Sequence, residues 1–228
     1  MLRRVLAPLH PDGIKFVLAA VIASVLLFVV SRPAGSVAVV VTLWIIYFFR
    51  DPWRVTPARE GVLISPADGI VTSVDAAPPP PELDMGDTEM ARIGIFLSLF
   101  DVHVNRAPIG GRVLALRYAK GRFLDASRAE ASLHNERMAI RVSPPAGPEI
   151  AFVQVAGLVA RRIVCDLREG QRIATGQRIG IIRFGSRVDV YCPPPYVTMV
   201  VAGQRMIGGE TVIADRFARE PVRQGVAH

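Results

Sequence analysis

Few residues in this chain have the type and setting to do chemistry. Ser186 lies in Arg183-Phe-Gly-Ser-Arg-Val-Asp-Val190, with strand-like apolar residues on both sides. A turn or bulge is the plain account of such a Gly-Ser pair. A glycine carbonyl followed by a serine is also an unhindered acyl group. It suits attack by that hydroxyl, given a base and an oxyanion site. His103 lies in Leu97-Ser-Leu-Phe-Asp-Val-His-Val-Asn-Arg-Ala-Pro108. If that segment is extended, Asp101, His103 and Asn105 share one face, with Val102 and Val104 on the other. A solvated strand face or a structural histidine accounts for this equally well. His134, in His134-Asn-Glu-Arg137, is similarly balanced. Asp68, in Ser65-Pro-Ala-Asp-Gly69, is ordinary turn chemistry unless a histidine lies near it in space. His10 and His228 sit near the two ends of the chain.

The composition narrows which chemistry is available. Of the 27 basic residues only Lys15 and Lys120 are lysines, so a reaction that needs a lysine has two candidates. The two cysteines, Cys165 and Cys192, lack CxxC spacing, which excludes a thiolate-rich zinc site and a disulfide scaffold. Both lie in apolar runs and read as buried, reduced thiols; no metal is expected. The formal charge is +7. The basic residues form no repeat interleaved with aromatics, which argues against nucleic acid and for an anionic lipid surface or substrate.

These residues need elements to position them. Residues 16–31 and 33–49 are two uncharged apolar runs, punctuated by Arg32, Pro33 and Gly35. Each is slightly short of the ~20 residues that span a bilayer comfortably. Together they predict a transmembrane helical hairpin over 1–49, with a re-entrant hairpin and a signal peptide as rivals. Arg3, Arg4 and Lys15 before it, and Arg50, Arg54 and Arg59 after it, place both ends on the cytoplasmic side. Beyond it, over 50–228, short apolar runs alternate with Gly, Pro and Asp turns, predicting a mainly β domain, a barrel or sandwich. Strands are expected at 62–65, 70–74, 92–99, 112–118, 138–142, 150–155, 163–167, 179–184, 188–192 and 197–202. One helix is expected over Leu124–Leu133, and the proline-rich stretch 76–82 reads as an exposed linker loop. The rhythm of 168–180 suggests lipoyl-like hairpins, although no lysine follows Lys120 to serve as a carrier.

The ordered set of motifs carries a family resemblance. It comprises the hydrophobic hairpin, then Tyr47-Phe-Phe-Arg-Asp-Pro52, Ser65-Pro-Ala-Asp-Gly-Ile70 and Phe100-Asp-Val-His-Val-Asn-Arg106. Lys120-Gly-Arg-Phe-Leu-Asp-Ala126, His134-Asn-Glu-Arg137, Gly157-Leu-Val-Ala-Arg-Arg-Ile163 and Phe184-Gly-Ser-Arg187 follow. The chain resembles the short bacterial and archaeal form of phosphatidylserine decarboxylase. That resemblance implies a proenzyme that cleaves itself at Gly185-Ser186 into a large chain, 1–185, and a small chain, 186–228. Ser186 would become an N-terminal pyruvoyl group, the cofactor for converting phosphatidylserine to phosphatidylethanolamine. It assigns Ser186, His103 and Asp68 as a triad, with His103 the base and Asp68 orienting it.

The pyruvoyl group answers a physical need. Loss of carbon dioxide from an α-amino acid leaves an electron pair on Cα, which a Schiff base to a carbonyl delocalises. Pyridoxal phosphate would need an anchoring lysine and a phosphate cradle, and a carbonyl made from the chain needs neither. Longer members of the family carry a second histidine three residues after the first, where Arg106 stands here. Either His103 performs both proton transfers or His134 supplies one. Arg106, Arg137, Arg161 and Arg162 are candidates for gripping substrate phosphate or carboxylate, or else solvated surface arginines. The expected partners are phosphatidylserine in an anionic inner membrane and the two chains of the proenzyme, with a homo-oligomer left open. The competing reading is a membrane-anchored serine hydrolase or peptidase built on the same three residues; a third is a non-enzymatic β adaptor.

Overall fold

The computed structural model describes residues 7–128, 130–158, 162–183, 185–220, 223 and 225. Two antiparallel helices come first, α1 (Pro11–Val30) and α2 (Arg32–Phe48). His10 caps α1 by accepting the Asp12 amide on Nδ1, and prolines stand in the first turn of both helices. Ser31 is extended and separates the two helices. Gly35 lets α2 turn back tightly, because a Cβ there would overlap Phe28. Inside the hairpin, the Ser24 and Thr42 hydroxyls hydrogen-bond each other at 2.9 Å. The outer surface is bare hydrocarbon, including Leu26, Val29, Val30, Val37 and Val40. At 20 residues, with mean hydropathy 2.6 over its most apolar 18-residue window, α1 is long and apolar enough to cross a membrane; α2 is three residues shorter.

The rest is mainly β, in antiparallel sheets. The largest has eight strands in the order β13 (Arg205–Met206), β2 (Gly69–Ala77), β3 (Met90–Leu97), β11 (Ser186–Cys192), β7 (Ile150–Ala156), β6 (Arg137–Ser143), β5 (Gly111–Ala119) and β9 (Arg172–Ile173). It curls in a barrel-like way. Two three-stranded sheets complete the domain. One runs β1 (Val62–Ile64), β14 (Val212–Asp215), β12 (Val197–Thr198); the other runs β4 (Val104–Arg106), β10 (Arg178–Ile182), β8 (Ile163–Cys165). The main core, including Leu63, Ile93, Ile95, Val113, Ile140, Phe152, Ile179 and Val190, lies between the sheets.

Strand β11 runs through the middle of the large sheet and is buried along its whole length. Val188, Val190 and Cys192 feed the apolar clusters, as the alternation requires. Arg187 and Asp189 are fully buried as well. Arg187 Nε donates to Asp189 Oδ1 at 2.6 Å, and its terminal nitrogens donate to Thr72 Oγ1 and Ser73 Oγ. Gly94 makes room for that guanidinium, since a Cβ there would overlap it.

Each strand expected from the sequence is present, with changed bounds, and β4, β9, β13 and β14 add to them. The expected helix over 124–133 reduces to one turn, α3 (Ala131–His134). The preceding stretch forms a turn closed by the Asp125 side chain on the Ser127 amide and by Asn135, which bonds both the amide and the carbonyl of Leu124. The proline-rich stretch is a packed strap. Pro79 and Pro80 are buried, a 3-10 turn covers Pro81–Leu83, and Leu83 enters a core cluster. Cys192 is buried, its thiol pushed up to about 12 by desolvation; Cys165 is half-buried.

The Arg187–Asp189 pair yields a stability test. Arg187→Met alone leaves a buried carboxylate uncompensated, so it should lower unfolding stability by about 3–5 kcal/mol. Adding Asp189→Leu should restore most of that loss. Thermal or urea unfolding of the two variants checks this; equal losses in both would refute it.

Candidate functional site

Ser186 begins β11 where three strands end together. Its backbone is opposite Leu97, the last residue of β3, and Ala156, the last residue of β7. Ladders on both sides hold the residue, while Gly185 before it is in the left-handed region at φ +71°. A glycine is the residue that adopts such a backbone without strain. The Ser186 side chain is fully buried and its Oγ has no hydrogen-bond partner among the described residues. An orphan buried hydroxyl is costly, and at a reactive site it is a reserved nucleophile.

His103, just before β4, faces this peptide. Its Nε2 accepts the Gly185 amide at 3.2 Å, and its Nδ1 lies 3.0 Å from the Asp101 carbonyl oxygen. A carbonyl can only accept and an amide can only donate, so the two bonds fix the tautomer: Nδ1 carries the proton and Nε2 carries the lone pair that accepts the Gly185 amide. The ring is fully buried, with the Phe48 ring centroid 4.2 Å away. Burial pushes the imidazole down to about 4, against the pull of the Asp101 carbonyl and charge. His103 is therefore neutral at physiological pH, as a general base must be. The Asp101 carboxylate accepts from the Ser98 amide and hydroxyl and pairs with Arg205, which fixes the carbonyl it presents.

Asp68 is not the histidine's orienting partner in this arrangement. Its carboxylate takes both contacts from the Arg54 guanidinium, at 2.7 and 2.9 Å, and the Gly208 amide at 2.8 Å. Burial raises its carboxyl above the usual value, while Arg54 and the Gly208 amide pull it back. It reaches the site through chain geometry. The 205–208 segment bonds Asp68 at one end and, through Arg205, Asp101 at the other. The Arg106 amide also bonds Pro66 in the turn beside Asp68. Asp101, His103 and Asn105 are all buried, so the solvated-face account of this segment fails. Asn105 accepts from the Gln154 amide group in the layer beneath.

Three other candidates stand elsewhere. Arg106 is buried and committed to Asp51, the Pro52 carbonyl and the Gly176 carbonyl, so it is a clamp and no substrate ligand. Arg137 is held by the Glu82 carboxylate and the Leu133 carbonyl. His134 is exposed at the end of α3, and no hydrogen bond ties it to His103 or Ser186 among the described residues. Arg162 is exposed, and Arg161 lies outside the described residues.

Two residues with a part in the site were not singled out from the sequence. Gly157 follows β7, and a Cβ there would overlap the Gly185 carbonyl oxygen. The acyl group next to Ser186 thus rests directly on the Gly157 backbone. Asn135, fully buried, bonds the Ala156 carbonyl at 2.7 Å and so fixes the residue before Gly157. Both stand inside motifs visible in the sequence, but neither carries a reactive group that would mark it. The assembled parts are a buried hydroxyl, a neutral base bonded to the adjacent peptide, and a carbonyl set against a glycine. They suit attack of Ser186 Oγ on the Gly185 carbonyl.

Comparison with known proteins shows the family. A family model described as phosphatidylserine decarboxylase matches residues 41–214. A phosphatidylserine decarboxylase proenzyme of Cereibacter sphaeroides is 51% identical over 227 residues, covering 100% of this chain and 98% of that protein. Proenzymes of the same name from Paramagnetospirillum magneticum and Rickettsia rickettsii are 52% and 51% identical, over 96% and 93% of this chain and 91% of each of theirs. With most of the chain matched by the family model and half its residues shared with full-length relatives, this protein belongs to the phosphatidylserine decarboxylase family.

Proposed function

We propose that the chain is a membrane-anchored proenzyme. It cleaves itself between Gly185 and Ser186 and then decarboxylates phosphatidylserine to phosphatidylethanolamine. The observation that carries this reading is the unprotonated His103 nitrogen bonded to the Gly185 amide, next to a buried serine hydroxyl that has no hydrogen-bond partner among the described residues. His103 takes the Ser186 proton as Oγ bonds to the Gly185 carbonyl carbon. The peptide C–N bond then breaks, the amine takes the proton, and an ester joins the two halves. Removal of the Ser186 α-proton expels residues 1–185 as a carboxylate and leaves a double bond at residue 186. Addition of water and loss of ammonia turn that into a ketone. Gly157 gives the tetrahedral oxygen room to move, and Asp68 acts as a positioning residue through the 205–208 segment.

The carbonyl at residue 186 supplies an electron sink when formed. Around it, the chain's residues exclude water and hold a proton. Ala67, Leu97, Ala156, Ile182 and Val188 form an apolar cluster next to Ser186. His103, buried against the Gly185 peptide where His134 is exposed, is the acid–base group for protonating the product carbon. Leu99, Phe100 and Leu158 are exposed just past the two strands that flank Ser186, an apolar rim suited to a lipid's acyl chains. The hairpin anchors this rim to the bilayer: Arg50, just past α2, donates to the Phe100 carbonyl at 2.8 Å. The basic residues flanking the hairpin place the domain on the cytoplasmic side of the inner membrane. A hydrolase acting on other proteins fits poorly, because the serine is fully buried with its own preceding peptide against the base.

Processing is read directly by electrophoresis and intact mass. Wild-type protein should yield a small chain of residues 186–228 with a blocked, ketone-bearing N-terminus, and Ser186→Ala should stay full length and inactive. Wild-type protein that makes phosphatidylethanolamine while remaining full length would falsify the mechanism. Gly157→Ala should slow processing by about 100-fold, the size of effect expected from displacing a reacting group by roughly 1 Å. Processing at the wild-type rate in that variant rules out the placement of the carbonyl.

Acid should destabilise the proenzyme in a defined window. His103 binds its proton less readily folded, near 4, than unfolded, near 6.5. The unfolded state therefore holds more protons between these values, and this contribution is intact above about pH 6.5 and lost as pH falls toward 4. In a Ser186→Ala background, adding His103→Gln should flatten the fall in Tm across that window. An unchanged slope contradicts the burial of a neutral imidazole.

A further inference from the structure

A second cavity, of about 700 Å³, lies apart from Ser186, His103 and Asp68, none of which lines it. It opens between the 56–62 segment that leaves the membrane hairpin, the start of β5, strand β9 and the 143–146 turn. Its charge is one-sided. Arg59, Arg112, Arg172 and Arg216 line it against the single carboxylate of Glu60, which is exposed. Arg59 is committed to Asp215. The other three have no carboxylate within ion-pair distance among the described residues.

Two features make these three more than solvated surface charges. Arg112 and Arg172 are directly opposite each other in the β5–β9 ladder. Like charges at such a position destabilise a sheet, and this edge pairs them with nothing between. Arg216 is not free to swing into water. Its guanidinium lies over the Phe217 ring, 4.5 Å from the centroid, and its buried Nε has no hydrogen-bond partner among the described residues. Gly61 and Gly147 make room for it, since a Cβ at either would crowd the arginine. A held guanidinium with an unsatisfied donor and two unopposed arginines call for an oxyanion with several acceptors, more than one carboxylate offers.

We propose that this cavity binds a phosphate-class anion through Arg112, Arg172 and Arg216, either a free phosphate or the headgroup of an anionic lipid. The site stands independently of the decarboxylase reading and uses none of its residues.

The test uses the full chain with two probes. Inorganic pyrophosphate added to detergent-solubilised protein probes the free anion. Nanodiscs containing phosphatidylglycerol, against nanodiscs of phosphatidylcholine alone, probe the headgroup. At least one should raise the Tm of wild-type protein, and calorimetric titration should give saturable binding if the free anion is the ligand. The double variant Arg112→Gln/Arg172→Gln should lose that rise and weaken binding at least tenfold. Its own Tm without anion should equal or exceed wild type, because the repulsion is gone; a merely structural pair would lower it. Arg172→Gln alone, at an exposed position on a two-residue strand, serves as the milder variant. A shift with pyrophosphate assigns a free phosphate, and a shift with phosphatidylglycerol alone assigns a headgroup. No shift with either probe, or equal shifts in wild type and variants, overturns the site.

Discussion

The hydrogen bond from the Gly185 amide to His103 is the contact around which the site is arranged. It can form only if Nε2 is unprotonated, and the ring stays so because burial disfavours the cation. Burial in turn depends on Phe48 covering the ring from the membrane hairpin. The tautomer depends on the Asp101 carbonyl, held in place by Ser98 and Arg205. The peptide being held depends on β11, pinned by ladders to β3 and β7. Each support comes from a different part of the chain, so loosening any one loosens the geometry of the reacting bond.

The hairpin is thus more than an anchor. Phe48 and Phe49 are fully buried with Val102, Val104 and Ile181, in one cluster with β4 and β10. Arg183, two residues before Gly185, donates to Asp12 at the start of α1 at 2.7 Å. The Asp51 amide bonds the Pro8 carbonyl, and Asp51 holds both Arg106 and Arg178. The base of the hairpin, the strand after His103 and the strand before Ser186 therefore form one packed unit. Such a joint fixes the position of the His103–Ser186 site relative to the apolar hairpin.

Much of the fold was legible in the sequence. Strand cores such as 70–74, 92–97 and 150–155 show up as apolar runs between Gly and Pro turns, because buried strands need little else. The short strands β9 and β13 were not, because two residues carry no period. The helix expected at 124–133 failed where Asp125 and Asn135 offered the backbone side-chain partners that compete with a helix. Of the candidate site, Ser186 and His103, singled out by residue type, come together at the Gly185 peptide, while Asp68 stands one step removed on Arg54. The partners of Arg106 and Arg137 were not legible, because an arginine's partner is invisible in sequence: Asp51 is 55 residues from the one, and Glu82 is 55 from the other.

By itself, the sequence determined the apolar hairpin, the β-rich domain, the shortage of lysine and the ordered motifs that mark the family. These follow from residue type and local spacing, which act over a few residues at a time. Only the tertiary structure decided that His103 is buried and held neutral, that its partner is the Asp101 carbonyl, that Asp68 faces Arg54, and that Gly157 lies against the Gly185 carbonyl with Asn135 fixing the residue before it. The reason is that burial and hydrogen-bond pairing depend on which distant segments meet. The motifs named the reacting groups; packing set their charge states and assigned their neighbours.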